Sequence, residues 1–216
     1  MESLITSVIC LAAAAAFSQS PPKGTVIGEA TTLIVATSFD QPAPPTRKGV
    51  INGWQAAIGE WTVKDGVLHG DELEADHHPS SCTWRLEATD MILTAQFRLG
   101  KAEHVAFGCR DTIAPNLHLG RTFISKDGIW IQKMSGIAKT TRAEKLKEIK
   151  TPVDPEAWHD LTVEIIGDRY RAQVDGHVVE GTHERFKDAK GIVALIVKGQ
   201  GAQFKNVNLW HAKPKG

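Results

Sequence analysis

Two polar constellations in the 216-residue chain have the residue types for chemistry. The denser one crowds His69, Asp71, Glu72, Glu74, Asp76, His77 and His78 into ten residues. Imidazole titrates near neutral pH and carboxylates take hard cations, so such a run suits proton transfer or a divalent ion. A solvated loop between two strands collects the same types. The second constellation is Arg110, Asp111, His118, Arg121 and Lys133. Cationic side chains there would donate hydrogen bonds to the hydroxyls of a polar ligand or pair with a carboxylate. The alternative is surface charge around one packed histidine. The candidate acid–base residues are Glu72, His78 and His118, and Arg121 and Lys133 are candidate substrate ligands. Indoles offer flat apolar faces on which a ligand ring can stack. Of the six tryptophans, Trp54, Trp84 and Trp130 are platform candidates, whereas Trp61 and Trp158 open alternating segments and read as core.

The elements that must position these residues are strands. Met91, Leu93, Ala95, Phe97 and Leu99 alternate with Ile92, Thr94, Gln96 and Arg98, a period of two with one buried face. Asp65-Gly66 and Asp175-Gly176 each sit between apolar segments and favour tight hairpin turns. Residues 117–125 and 129–133 flank a third turn at 126–128, and 192–197 is an unbroken apolar run suited to a doubly covered strand. Residues 40–53 hold Pro42, Pro44 and Pro45 and read as a loop outside any sheet. Residues 142–150 are the best helical candidate. About twelve to fourteen strands with no long helix indicate an all-β sandwich or barrel. Within the strand at 117–125, strict alternation puts His118 on one face and Leu119 and Arg121 on the other.

The first residues read differently. Residues 4–17 are apolar apart from Thr6 and Ser7, too short a run for a membrane anchor and suited to an export signal over 1–18. A spacer at 19–31 and one sandwich domain at 32–212 follow, secreted or periplasmic once the signal is removed, with no membrane span in the mature chain. Cys82 and Cys109 then form one disulfide or stay as two buried thiols in adjacent strands. Basic and acidic residues balance at 25 each with no basic stripe, which argues against a nucleic-acid partner. No Cys or His pair has a diagnostic metal spacing, so no metal site is assigned, although Asp71, Glu72 and Asp76 would be the ligands of a calcium-stabilised variant. The glycines follow no phosphate or dinucleotide pattern, so no cofactor is assigned. Ser80-Ser81 lacks a hydrolase elbow.

The stretch Gly59-Glu60-Trp61-Thr62-Val63-Lys64-Asp65-Gly66-Val67-Leu68-His69-Gly70 resembles the opening of the bacterial 3-keto-disaccharide hydrolase domain family. Trp158-His159, Val174-Asp175-Gly176 and Phe204-Lys205-Asn206-Val207 resemble its second half, so the likeness spans residues 39–212. The resemblance implies a concanavalin-like jelly-roll sandwich of two curved antiparallel sheets, with a groove on the concave sheet that meets carbohydrate. Enzymatic members act on oxidised glycosides and usually carry a Gly-aromatic-Glu-x-Gln-type strand in mid-domain. Here that region is Asn116-Leu117-His118-Leu119-Gly120-Arg121, without a carboxylate. His118, Leu119 and Arg121 with Gln132-Lys133 are closer to a shorter exported subgroup to which no activity is assigned. The expectation is an exported carbohydrate-interacting domain. It leaves open whether the chain acts on glycosides as a hydrolase or lyase. A structural or adhesive laminin-G-like module is the alternative.

Overall fold

The computed structural model describes residues 20–113, 116–136 and 140–216, and the export signal expected at 1–18 lies outside the described residues. Seventeen strands occur among the described residues. The first six are β1 (Gly28–Thr37), β2 (Ala43–Thr46), β3 (Val50–Ile51), β4 (Trp54–Ile58), β5 (Glu60–Lys64) and β6 (Val67–Asp71). β7 (Ser80–Ala88), β8 (Met91–Arg98), β9 (His104–Asp111), β10 (His118–Ser125), β11 (Gly128–Ser135) and β12 (Arg142–Lys150) follow. The last are β13 (His159–Ile166), β14 (Arg169–Val174), β15 (His177–Thr182), β16 (Lys190–Lys198) and β17 (Ala202–Pro214).

They form two antiparallel sheets. One has the order β15-β14-β13-β8-β17-β6-β5-β2, with β1 also on β17, and the other runs β12-β11-β10-β9-β16-β7-β4-β3. The thirteen-residue β17 serves two neighbours along one edge, β6 at Ala202 to Phe204 and β1 from Val207 onward. The two inner faces pack Trp54, Trp61, Phe97, Phe107, Tyr170, Phe186 and Phe204 between the sheets, all fully buried. The indoles satisfy their single donors there. Trp54 Nε1 donates to Thr37 Oγ1 at 3.0 Å and Trp61 Nε1 to the Ile58 carbonyl at 2.9 Å. The alternation expected of β8 holds, with Met91, Leu93, Ala95 and Phe97 in the core. Asp65 and Gly66 both take positive φ, 53° and 74°, as a two-residue turn between β5 and β6 requires.

Four expectations need correction. Residues 142–150 form β12, an edge strand on β11, because pairing with the open edge of β11 outweighs a local composition rich in Lys and Glu. The proline-rich segment 40–53 contains β2 and β3; β2 is an edge strand, where missing donors are tolerated. The two cysteines are free and buried, but their strands are not adjacent: Leu195 of β16 faces Cys82, and Val193 faces Cys109. Finally, the chain enters the fold before Thr32. Glu164, with no exposure, accepts the backbone N–H of Val26, Ile27 and Gly28 at 2.9–3.1 Å and an Arg171 donor at 2.9 Å. Gly28 stands against Ile92 and Ile166, where a Cβ would meet Ile166 Cδ1 at 2.6 Å. This segment therefore covers one end of the outer face of the nine-stranded sheet.

Candidate functional site

The outer face of the eight-stranded sheet is built by register. Arg121 on β10 faces Gly108 on β9 and Gln132 on β11, and Gly108 faces Ala194 on β16. Two residues along, Phe123 faces Ala106 and Trp130, and Ala106 faces Ile196. Small side chains on β9 and β16 thus leave a floor, and β10 and β11 raise a wall beside it. The connection from β6 to β7 brings His78 and Pro79 over the rim. The result is a cavity of about 80 Å³ whose polar lining includes His78, Ser81, Arg110, His118 and Arg121 above Gly108 and Ala194.

His118 and Arg121 share this cavity because β10 is irregular. His118 pairs with Arg110 but Gly120 pairs with Cys109, so two steps on β10 match one on β9. The bulge turns Leu119 and Gly120 towards the core, where a Cβ on Gly120 would meet Phe186 and Tyr170 at 3.0 Å. His118 and Arg121 are left on the outer side, contrary to simple alternation. Arg121 lies across Gly108: a Cβ there would stand 3.1 Å from Arg121 Cγ and 3.4 Å from its Nε. A glycine inside a strand often marks such a close approach.

The electrostatics are one-sided. Arg121 Nη2 lies 3.2 Å from His118 Nδ1; a guanidinium only donates, so Nδ1 accepts and the ring proton sits on Nε2. Burial, then Arg121, Arg110 and His78, push the His118 pKa down to about 3, so the ring is neutral. Burial and Arg110 lower Arg121 to about 10, which leaves it charged at neutral pH. Burial also lowers Arg110. No carboxylate lines the cavity among the described residues. Asp111, next to Arg110, turns inward at 2% exposure and holds the Leu117 N–H at 2.7 Å and Arg185 at 3.2 Å.

An aromatic shelf adjoins the cavity. The Phe123 and Trp130 rings stack at 5.0 Å and 2°, with His104 edge-on to Phe123 at 5.3 Å. Lys145 Nζ sits 5.4 Å over Trp130. Phe123 and Gly108 were not picked out as binding residues from sequence, whereas Arg110 belonged to the second constellation. Phe123 was legible as the position two along from Arg121, and Gly108 as a glycine within a strand.

The family model of the 3-keto-alpha-glucoside-1,2-lyase-like domain matches residues 48–209, from before β3 into β17 and across the whole cavity. The chain belongs to this family. A comparison with curated proteins gives no match. Among solved structures, the family 66 carbohydrate-binding module from Bacillus subtilis aligns with a TM-score of 0.61 at 19% identity, over 73% of this chain and 95% of that one. The CBM2 module of the evolved Dit of Lactobacillus casei BL23 phage J-1 gives 0.59 at 13%, over 87% and 98%. The laminarinase of Rhodothermus marinus gives 0.59 at 13%, over 84% and 97%. These establish the jelly-roll sandwich.

Within this member of the lyase-like family, the residues expected from sequence divide. His78, His118 and Arg121 meet in the cavity, and Trp130 stands on the adjoining shelf. Glu72 is elsewhere, accepting Lys198 Nζ at 2.8 Å and the Gly199 N–H at 2.7 Å. Burial opposes its ionisation, but these donors prevail and hold its carboxyl below the usual range. Lys133 pairs with Gly120, one position off Arg121 and Gln132, so it points to the opposite face and reaches Glu144 at 3.4 Å. Trp84 faces Val193 and packs 5.7 Å from Trp54 on the core side. The carboxylates proposed for calcium serve as staples: Asp71 accepts the Gly201 N–H at 2.6 Å and Asp76 the Gly59 N–H at 2.9 Å. Among the described residues no group of three His, Cys, Asp or Glu side chains is arranged to hold a metal.

Proposed function

We propose that this chain is an exported carbohydrate-binding jelly roll whose sugar site is the cavity and shelf on the outer face of the eight-stranded sheet. One observation carries the reading: His78, His118, Arg110 and Arg121 converge beside stacked aromatics on an open sheet face. Family membership and a fold shared with carbohydrate-binding modules and a laminarinase support it. The other sheet is partly covered by the segment clamped on Glu164, which favours the eight-stranded side. A sugar ring laid on the face of Trp130 that Phe123 leaves free would displace the Lys145 side chain, with Gln132 two residues along the same strand.

A second reading adds chemistry, favoured by the state of His78. Its Nδ1 donates to the Pro79 carbonyl at 2.7 Å, so in the neutral form of the ring the lone pair is on Nε2 at the rim. On a 3-keto-glucoside, Nε2 would take the proton from C2, and the electrons would move onto the keto oxygen. Arg121, Arg110 and the His118 Nε2–H would hold that enolate. The ketone then re-forms as the C1–O bond breaks and the aglycone leaves with a proton. Hydrolysis by two carboxylates lacks its groups in this cavity among the described residues.

The test is a panel of 3-keto-glucosides, their parent glucosides and polysaccharides, followed by calorimetry for binding and chromatography for turnover. Binding that weakens at least tenfold in Arg121→Ala is expected. Turnover lost in His78→Ala but not binding would establish the lyase arm. Neither binding nor turnover on any ligand overturns the proposal.

A further inference from the structure

The charge arrangement in the cavity points to a narrower class of ligand, on the premise that this face binds a saccharide. Four of the seven other guanidiniums pair with carboxylates, Arg47 with Asp76, Arg169 with Glu180, Arg171 with Glu164 and Arg185 with Asp111, and Arg98 lies over the Trp158 ring at 5.1 Å. Arg110 and Arg121 have no such partner among the described residues. Arg121 instead donates to an uncharged imidazole, and the two cations raise each other's energy in a half-buried setting. Like charges desolvated together are costly unless an anion joins them. A neutral sugar would leave that cost in place. An oxyanion would relieve it, because guanidinium forks match carboxylate and sulfate oxygens geometrically.

Size and position agree. A cavity of about 80 Å³ takes one small charged group with water around it, not a binding cleft for a chain of sugars. The shelf begins at Phe123, two residues along β10 from Arg121, a separation of about 7 Å. That is too long for the span from an acidic substituent to its own ring and matches the span to the middle of the neighbouring ring. The His118 Nε2–H supplies one further neutral donor.

We infer that the cavity between Arg110, Arg121 and His118 is an anion subsite for the carboxylate or sulfate ester of an acidic saccharide, whose neighbouring ring lies on the Phe123–Trp130 shelf.

The experiment is calorimetry of the full chain with matched probes. Oligomers of galacturonate, glucuronate and mixed guluronate–mannuronate are compared with their methyl esters, which keep the ring and lose the charge. Sulfated galactan oligosaccharides are compared with desulfated ones. At least one acidic oligomer is expected to bind ten times more tightly than its neutral counterpart, with affinity falling as salt rises. The series that shows the advantage, uronate or sulfate, identifies the group. Arg121→Gln should bring acid and neutral forms within about twofold of each other, and Arg121→Lys should keep part of the difference. Neutral oligomers binding as well as acidic ones would overturn the inference and leave the sugar-binding proposal standing. No binding by any of these oligomers, acidic or neutral, would also overturn the inference, and the sugar-binding proposal would then rest on the 3-keto-glucoside and polysaccharide panel. The wild-type comparison of acid with ester requires no variant to fold.

Discussion

Among the histidines, His118 is the one on which burial acts most visibly. It is 6% exposed and neutral in the folded chain, with a pKa near 3, whereas in an unfolded chain imidazole titrates near 6.5. Between those values the unfolded chain binds a proton that the folded one refuses, so acidification favours unfolding. Above about pH 6.5 both forms are neutral and this residue adds no pH dependence. Stability should therefore fall as pH drops from about 6.5 towards 3, and His118→Gln should flatten that part of the curve. His69 and His104 are also pushed down by burial, so the difference between wild type and variant isolates His118. Urea midpoints from pH 7.5 to 4.5 provide the measurement. Parallel curves for the two proteins would mean that His118 is as easily protonated folded as unfolded.

At the scale of the strand, Gly108 and the β10 bulge do what no single polar residue does. The glycine gives Arg121 a bed, and its backbone is ordinary extended chain, so a methyl there is resisted only by side chains. Gly108→Ala should cost under about 1 kcal/mol, a few degrees in melting temperature. It should also shift Arg121 by a few tenths of an ångström and weaken saccharide binding several-fold. Unchanged affinity beside an unchanged melt would show that Arg121 does not depend on this seat. Strand periodicity made much of the fold legible in advance: β8 alternates as expected, and Asp65-Gly66 turns where its chemistry requires. Half of the site was legible too, since His78, His118, Arg121 and Trp130 stand out by residue type. The rest depended on register. Alternation separated His118 from Arg121 because a bulge leaves no mark in hydropathy. Lys133 and Trp84 each lie one position off the outward row, and that offset decides whether a side chain meets solvent or the core. β12 misled for a related reason: its Lys and Glu residues suit a helix locally, and only the open edge of β11 makes it a strand.

At the scale of the whole molecule, the two outer faces have opposite fates. Formal charge sums to zero, so composition hides a cavity that gathers two guanidiniums on one sheet. On the other sheet, Glu164 and Arg171 meet at 2.9 Å with 0% and 6% side-chain exposure, and the same carboxylate holds three backbone amides of the entering chain. Removing one member of such a pair strands the other charge and costs about 3–5 kcal/mol. Glu164→Gln should therefore melt well below wild type and expose the segment before β1 to proteolysis. The double variant Glu164→Met with Arg171→Met removes both charges and should recover part of the loss, though Val26, Ile27 and Gly28 would still lack their acceptor. The sheets share a core but not these outer faces, so saccharide affinity measured below the melting transition should match wild type in all these proteins. A variant that kept its melting temperature would refute the clamp. One that kept its fold but lost saccharide binding would place the sugar site on the nine-stranded sheet instead.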